Sequence, residues 1–161
     1  MVKVIKNVLT NDERKKLLED VQPLLVDGTS VYLGDPDNRY PGKQTHQTLH
    51  LHPDFISTLN DMVELVSKEM GKGFEVEKAW INWTNGKRKD IAWHTHECDY
   101  AAVYYMKTFP FFSNGTLFKD GLIKTPQNSI LIFPADMKHT APSSPLRFER
   151  YTLAMNLNIV R

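Results

Sequence analysis

The sequence contains a single cysteine, Cys98, so no disulfide can form within the chain. A lone thiol in a chain of this size is typical of proteins from a reducing compartment. No apolar run approaches the ~20 residues that cross a bilayer. The first residues, MVKVIKNVLTNDERKK, also lack the apolar segment of a signal peptide. From these absences we expect a cytoplasmic protein without a membrane partner.

The sequence also lacks a strong charge imbalance. Twenty lysines and arginines stand against 19 aspartates and glutamates, which leaves a net charge of +1. This balance argues against a nucleic-acid partner, because such partners attract strongly basic surfaces. The glycine-rich motifs of nucleotide sites and the H-E-x-x-H motif of zinc proteases are absent as well. We find no internal repeat, so solenoid folds are excluded.

The 161 residues fit one domain, with a helical and loop part at 1–73 and a β-rich core at 74–161. Two helices are predicted, at 11–25 and 53–70. Thr10 and Glu13 have the spacing of a capping box at the start of the first helix. Pro53 suits the first turn of the second helix, and Gly71 suits its end. The polar stretch between them, 27–52, is predicted to consist of loops with short strands, including a turn at 34–38, and to cover a site.

Short strands with intervening turns are predicted from residue 74 onward, which favours a β-sandwich or barrel with both helices outside. In the last predicted strand, alternate residues are apolar, and the residues between them are small or polar. A small, polar inner face is typical of a barrel that holds a ligand. The predicted strands are 74–84, 100–107, 115–118, 129–133 and 148–160. The inner face of the last one contains Arg150, Thr152, Ala154, Asn156 and Asn158.

Three histidines and one arginine form the most informative constellation. His94 and His96 are two residues apart, so in an extended segment both imidazoles point the same way. His139 follows a later predicted strand, and imidazole is a ligand for Fe, Zn, Cu and Ni. Arg150 opens the last strand, where a guanidinium forms bidentate pairs with carboxylates. A second group, His46, His50 and His52, lies in the polar stretch and is interpreted as surface or covering-loop residues.

These residues lie in blocks that resemble the 2-oxoglutarate/Fe(II)-dependent oxygenases. The blocks are W-I-N-W at 80–83, W-H-T-H at 93–96, A-V-Y-Y at 102–105, I-L-I-F-P at 130–134, His139, and R-Y-T-L-A-M-N at 150–156. The resemblance covers about half of the chain. It is closest to the small bacterial and phage oxygenases near the prolyl hydroxylases.

The resemblance implies a double-stranded β-helix, that is, a cupin-like jelly roll. It implies that His94 and His139 bind Fe(II) and that Arg150 binds the distal carboxylate of 2-oxoglutarate. It also implies a dioxygenase that uses O₂, converts 2-oxoglutarate to succinate and hydroxylates a peptidyl or small-molecule substrate. Further residues that it places in the cosubstrate pocket are Tyr105, Asn82 and Asn156.

The sequence departs from this family at the third ligand. The family pattern is His-x-Asp/Glu followed by a distal histidine, but the second position here is His96. We favour a three-histidine site, with Asp99 as the next choice and Glu97 after it. Three histidines also suit zinc. The alternative function is therefore a non-oxygenase, cupin-type metal-binding protein that holds zinc or another metal and acts as a sensor, hydrolase or binding module.

Overall fold

Two antiparallel sheets make up most of the structure, which is a computed structural model that describes residues 1–28, 42–85, 92–109, 115–142 and 147–161. The large sheet has the strand order β1-β8-β5-β10-β4-β3-β2, and the small sheet has the order β7-β6-β9. This mainly β architecture is consistent with a jelly roll. The strands are β1 (Lys3–Ile5), β2 (Val26–Asp27), β3 (Lys43–Gln44), β4 (Phe74–Asn85), β5 (Tyr100–Lys107), β6 (Gly115–Phe118), β7 (Gly121–Lys124), β8 (Ile130–Pro134), β9 (His139–Thr140) and β10 (Glu149–Ile159).

The first helix, α1 (Asn11–Val21), begins as predicted and ends earlier. Thr10 and Glu13 form the predicted capping box, in which each side chain accepts a hydrogen bond from the other residue's backbone amide. The predicted helix extended to residue 25, but a 3₁₀ turn, Gln22–Leu24, follows α1 instead. Pro23 accounts for the early end, since it has no amide hydrogen to continue the helical hydrogen bonds.

The second helix, α2 (Ile56–Met70), begins three residues after the predicted start. His52 precedes Pro53 and is extended, with a ψ of 131°, because a following proline disfavours helical geometry. Pro53 therefore lies in the turn before α2, and its predicted place in the first helical turn was wrong. The predicted end is confirmed: Gly71 has a φ of +67°, a conformation that glycine adopts without strain.

β10 separates two environments, as its alternating pattern predicts. On one side, Leu153 and Met155 pack in a buried core that includes Leu17 of α1 and Leu59 of α2. On the other side, Arg150, Thr152, Ala154 and Asn156 are buried on the face that turns toward the small sheet. Residues that pack on this second face are Ala101, Tyr105, Phe118, Leu131 and Phe133. We call this second face the inner face.

Several strands were not predicted from the sequence. β1 pairs with β8, β7 forms a hairpin with β6, and β9 contains only two residues. β2 begins just before the stretch 27–52 and β3 lies within it; short strands were predicted there without bounds, and these two extend the large sheet beyond β4. Residues 29–41 of that stretch lie outside the described residues. Segments this short have too few residues to display a period-2 pattern.

Across the described ranges, no helix combines the length and the apolar character that a membrane crossing requires.

Gly115 allows β6 to approach β7 closely. A Cβ atom at this position would lie 2.1 Å from the carbonyl oxygen of Ile123, whereas a Cβ at Gly73 would meet only Val160, at 3.6 Å. We expect Gly115→Ala to destabilise the protein by about 1–3 kcal/mol through overpacking, and Gly73→Ala to have little effect. The thermal midpoint of unfolding checks this prediction. Equal midpoints for the two variants would contradict the close approach of β6 to β7.

Candidate metal centre and polar pocket

A pair of backbone hydrogen bonds joins the segment of His94 to β9. The amide of His94 donates to the carbonyl of His139, and the amide of His139 donates back, both at 3.0 Å. Two residues on, the amide of His96 donates to the carbonyl of Ala135 at 3.0 Å. Because these bonds fix the backbone on both sides, they bring three histidines from distant parts of the sequence to one place.

The three imidazoles converge. His94, His96 and His139 each offer one nitrogen, and these nitrogens all lie within 4.8 Å of one another. The Nε2 atoms of His96 and His139 are 3.2 Å apart. Nitrogens bound at about 2.0–2.1 Å to one metal have separations of this order. His139 is held by two rings, with its centroid 4.7 Å from that of Phe133 and 6.0 Å from that of Phe118.

Backbone carbonyls orient two of these rings. Nδ1 of His94 is 2.9 Å from the carbonyl oxygen of Ala92, and Nδ1 of His139 is 2.8 Å from that of Met137. A carbonyl only accepts, so each Nδ1 carries the hydrogen and each Nε2 of the neutral ring keeps a free lone pair. Hydrogen bonds of this kind, to the ring nitrogen that does not bind the metal, fix the tautomer of metal-binding histidines.

The imidazoles of His96 and His139 are neutral at neutral pH. Burial, together with the neighbouring His94 and His139, lowers the pKa of His96 to about 3. Burial, together with His94, lowers the pKa of His139 to about 4, against a smaller opposite effect of the Met137 carbonyl. A metal binds the neutral form of imidazole. His96 and His139 are therefore in the metal-binding state without prior loss of protons.

The carboxylates that the sequence offered as third ligands lie elsewhere. Oδ2 of Asp99 accepts a hydrogen bond from the backbone amide of Ile159 at 2.8 Å, which ties the start of β5 to the end of β10. The side chain of Glu97 is exposed. Within the described ranges, the cluster contains histidines alone.

Arg150 is buried on the inner face, with only 6% of its surface exposed. Its Nη2 donates to the carbonyl of Gly115 at 3.3 Å, and its Nε has no hydrogen-bond partner. The guanidinium lies 5.4 Å from the ring centroid of Tyr105, whose hydroxyl is 2.6 Å from Oγ1 of Thr116. No ion pair of Arg150 with a carboxylate of the described residues is present. A buried charge is costly unless it is paired, so this arginine is suited to bind an anion.

The amides that the sequence named as pocket residues also lie on the inner face. Asn82 of β4 is aligned with Thr152 of β10, and Asn156 is buried with its Oδ1 unpartnered. Sequence reasoning missed a third amide, Gln44 of β3, which is 2% exposed and donates to Oδ1 of Asn82. One buried glutamine within a polar stretch has no sequence signal, because only the pairing of β3 with β4 turns it inward.

The second histidine group is not brought together as a metal cluster. His50 lies in a 3₁₀ turn, Leu49–Leu51, and Nδ1 of His52 accepts a hydrogen bond from the amide of Asp54 at 3.2 Å. His46 is exposed. The exposed position of His46 agrees with the interpretation of this group as surface residues. Near the metal centre, the buried ring of Trp80 lies 5.9 Å from that of His96, and Trp93 is 45% exposed.

Solved structures share this fold over nearly the whole chain. The collagen prolyl hydroxylase of Paramecium Bursaria Chlorella virus-1 is 13% identical and aligns over 99% of this chain and 90% of its own, with a TM-score of 0.68. HygX from Streptomyces hygroscopicus, with nickel, 2-oxoglutarate and hygromycin B bound, is 11% identical and aligns over 98% and 82%, with a TM-score of 0.67. A prolyl hydroxylase from Trichoplax adhaerens, in complex with a hypoxia inducible factor peptide, is 14% identical and aligns over 98% and 83%, with a TM-score of 0.69.

At these identities the likeness establishes the fold. The resemblance to the 2-oxoglutarate/Fe(II) oxygenases that the motifs predicted is confirmed at that level. The sequence itself matches no protein-family model and no curated protein.

Protonation of His96 and His139 opposes folding of the metal-free protein. Both pKa values are lower in the folded state than the ordinary value of about 6.5, so the unfolded chain binds more protons. Their contribution to stability is present above pH 6.5 and is lost as the pH falls toward 4. We expect the thermal midpoint, measured with a chelator, to fall over this range.

Variants identify the source of this pH dependence. The double variant His96→Gln/His139→Gln should show a shallower fall in the midpoint than the wild type. His46→Gln, which alters an exposed histidine, should keep the slope of the wild type. The same slope in all three proteins would contradict the assignment.

Proposed function

We propose that the protein is a non-haem Fe(II)- and 2-oxoglutarate-dependent dioxygenase with a double-stranded β-helix core, which hydroxylates a peptidyl or small-molecule substrate. One observation carries the proposal. The guanidinium of Arg150 is buried, has no carboxylate partner among the described residues and contacts β6, the strand that also pairs with His139 of three convergent imidazoles. HygX, which holds nickel and 2-oxoglutarate, has the same fold. When bound, Fe(II), 2-oxoglutarate and O₂ supply oxidative decarboxylation of the cosubstrate coupled to hydroxylation of the substrate.

His94, His96 and His139 hold the metal in this proposal. Support comes from the lowered pKa values of His96 and His139 and from the carbonyls that orient His94 and His139. Three ligands on one side of a metal leave its other positions for exogenous molecules. Asp99 instead fixes the backbone that follows His96, since its carbonyl accepts from the amide of Ala135 at 3.2 Å.

β6 connects the histidine cluster to Arg150. On this strand Phe118 pairs with His139, and Gly115, three residues earlier, accepts from Arg150. Three residues of extended chain span about 10 Å. In this proposal Arg150 binds the distal carboxylate of 2-oxoglutarate, and Tyr105 lies beside it.

Asn82 and Asn156 complete the pocket in this proposal. Both lie on the inner face, and Asn156 has a free Oδ1 there. The class of substrate is supported by analogy alone: one structural neighbour holds a peptide and another holds hygromycin B.

The three-histidine cluster also favours a second function, a non-oxygenase metal-binding protein. Three imidazoles and a water form a site that suits zinc, and the described cluster contains no carboxylate. Arg150 distinguishes the two functions, because a zinc sensor or hydrolase has no need of a buried cation that recognises a dicarboxylate.

Anaerobic addition of Fe(II) and 2-oxoglutarate tests the proposed function. We expect the metal-to-ligand charge-transfer band of the bound cosubstrate, and succinate formation in air. In Arg150→Ala we expect 2-oxoglutarate to bind at least about tenfold more weakly, since a hydrogen bond to a charged group contributes about 1.5–3 kcal/mol. Fe(II) binding should not change. Arg161→Ala, an exposed arginine at the end of the chain, is the control.

A protein that binds metal but shows neither the band nor succinate would contradict the oxygenase and support the second function. Loss of metal in Arg150→Ala would contradict the role assigned to this arginine.

Paired substitutions test the third ligand. His96→Ala should lower the affinity for Fe(II) or Co(II) by at least about tenfold. Mutating even a residue that only hydrogen-bonds to a metal ligand costs about that much. Asp99→Ala should keep the metal affinity within a few fold and instead lower the thermal midpoint, because Ile159 loses its acceptor. Metal titration and thermal unfolding of both variants measure these effects. The reverse pattern would make Asp99 the ligand.

A further inference from the structure

The residues on either side of Gln44 fix its backbone against β4. The amide of Thr45 donates to the carbonyl of Ile81 at 3.0 Å, and Oγ1 of Thr45 accepts from the amide of Ile81 at 2.9 Å. Lys43, the other residue of β3, lies over the ring of Trp83, 5.5 Å from its centroid. Because neighbouring residues of a strand point to opposite faces, Gln44 points to the inner face.

A row of polar side chains crosses the inner face in register. Gln44 is aligned with Asn82, Asn82 with Thr152, and Thr152 with Tyr105. The next residue on this face of β10, in the direction of the cosubstrate pocket, is Arg150. The row thus begins beside the proposed 2-oxoglutarate pocket and continues toward the β3 side of the sheet.

One amide atom in this row lacks a partner. Nε2 of Gln44 donates to Oδ1 of Asn82, while Oε1 of Gln44 is buried and has no hydrogen-bond partner among the described residues. Buried polar atoms are nearly always hydrogen-bonded, so an exception needs an explanation. An acceptor that a bound ligand satisfies is one such explanation, and it agrees with the position of the row.

We propose that Gln44 is a substrate-binding residue whose Oε1 accepts a hydrogen bond from a neutral N–H or O–H group of the primary substrate. The inference rests on the proposed function, in which Arg150 and the histidines bind the cosubstrate and the metal. It adds a substrate chemistry, namely an amide or a hydroxyl group.

The chemistry of the acceptor separates this subsite from the cosubstrate. 2-Oxoglutarate presents only oxygen acceptors to the protein, so it cannot satisfy Oε1 of Gln44. A cationic donor is also disfavoured, because the row of Gln44, Asn82 and Thr152 has no negative charge and a buried cation requires one. A neutral donor remains, and both peptide amides and sugar hydroxyls supply it.

Small probes that differ in one donor test the proposal. Protein labelled with ¹⁵N-glutamine and loaded with metal and 2-oxoglutarate is titrated with N-methylacetamide, with N,N-dimethylacetamide, which has no N–H, and with methyl glucoside. We expect a saturable shift of the Gln44 side-chain signals with a donor probe and none with N,N-dimethylacetamide. Gln127 is the internal control, because its Oε1 already accepts from the amide of Thr108 at 3.1 Å.

The outcomes separate the two sources of the donor. A shift with N-methylacetamide alone indicates a peptide amide, and a shift with methyl glucoside alone indicates a sugar hydroxyl. No shift with either donor probe, or an equal shift with N,N-dimethylacetamide, overturns the proposal.

Gln44→Met removes the acceptor and assigns the signals. We expect it to bind the effective probe about three- to tenfold more weakly, which corresponds to the loss of one neutral hydrogen bond. Its affinity for 2-oxoglutarate should stay within about twofold; a tenfold loss would place Gln44 in the cosubstrate pocket and overturn the proposal. If this variant does not fold, Gln44→Glu serves for the assignment and for the same cosubstrate measurement.

The charge-transfer band is recorded on the same sample. If the band is absent but the Gln44 signals shift with a donor probe alone, the oxygenase proposal fails and the donor subsite stands.

Discussion

The two reciprocal hydrogen bonds between His94 and His139 are the constraint on which the candidate site depends. They hold a segment from before β5 against β9 of the small sheet. Together with the bond from the amide of His96 to the carbonyl of Ala135, they fix His94 and His96 relative to His139. Backbone carbonyls also orient the rings. Those of Ala92 and Met137 set the tautomers of His94 and His139.

The two faces of β10 have different roles. The face toward the helices carries the apolar residues of the main core, including Leu153 and Met155, and provides the burial that stabilises the fold. The inner face is thereby free to carry residues that do not stabilise the fold. Arg150 and Asn156 are buried there with unpartnered atoms, at an expense of about 1–3 kcal/mol for each unsatisfied group. Such groups are expected where a ligand completes them.

Much of this arrangement could be predicted from the sequence, because long strands and caps have local signals. The alternation along β10 predicted which face Arg150 occupies, and Thr10 with Glu13 predicted the start of α1. The spacing of His94 and His96 predicted two convergent rings. β3 could not be predicted, since two residues carry no periodicity, and Gln44 was missed with it. Nor could the sequence decide between His96 and Asp99, because the partner of Asp99 is an amide on a strand 60 residues away.

The histidine cluster and Arg150 are related through their charges. Imidazole ligands add no negative charge, so in the proposed function three of them would leave a divalent metal with its full charge. Arg150 adds one more positive charge and has no carboxylate partner among the described residues. In a site of low dielectric constant, like charges repel strongly unless anions separate them. A site with an aspartate or glutamate ligand supplies one negative charge from the protein, whereas the described cluster supplies none. In the proposed function, a dianion with one carboxylate at each end would offset two of the three positive charges. His96 in place of a carboxylate would therefore strengthen the demand for a dicarboxylate and give 2-oxoglutarate a larger part in holding the metal.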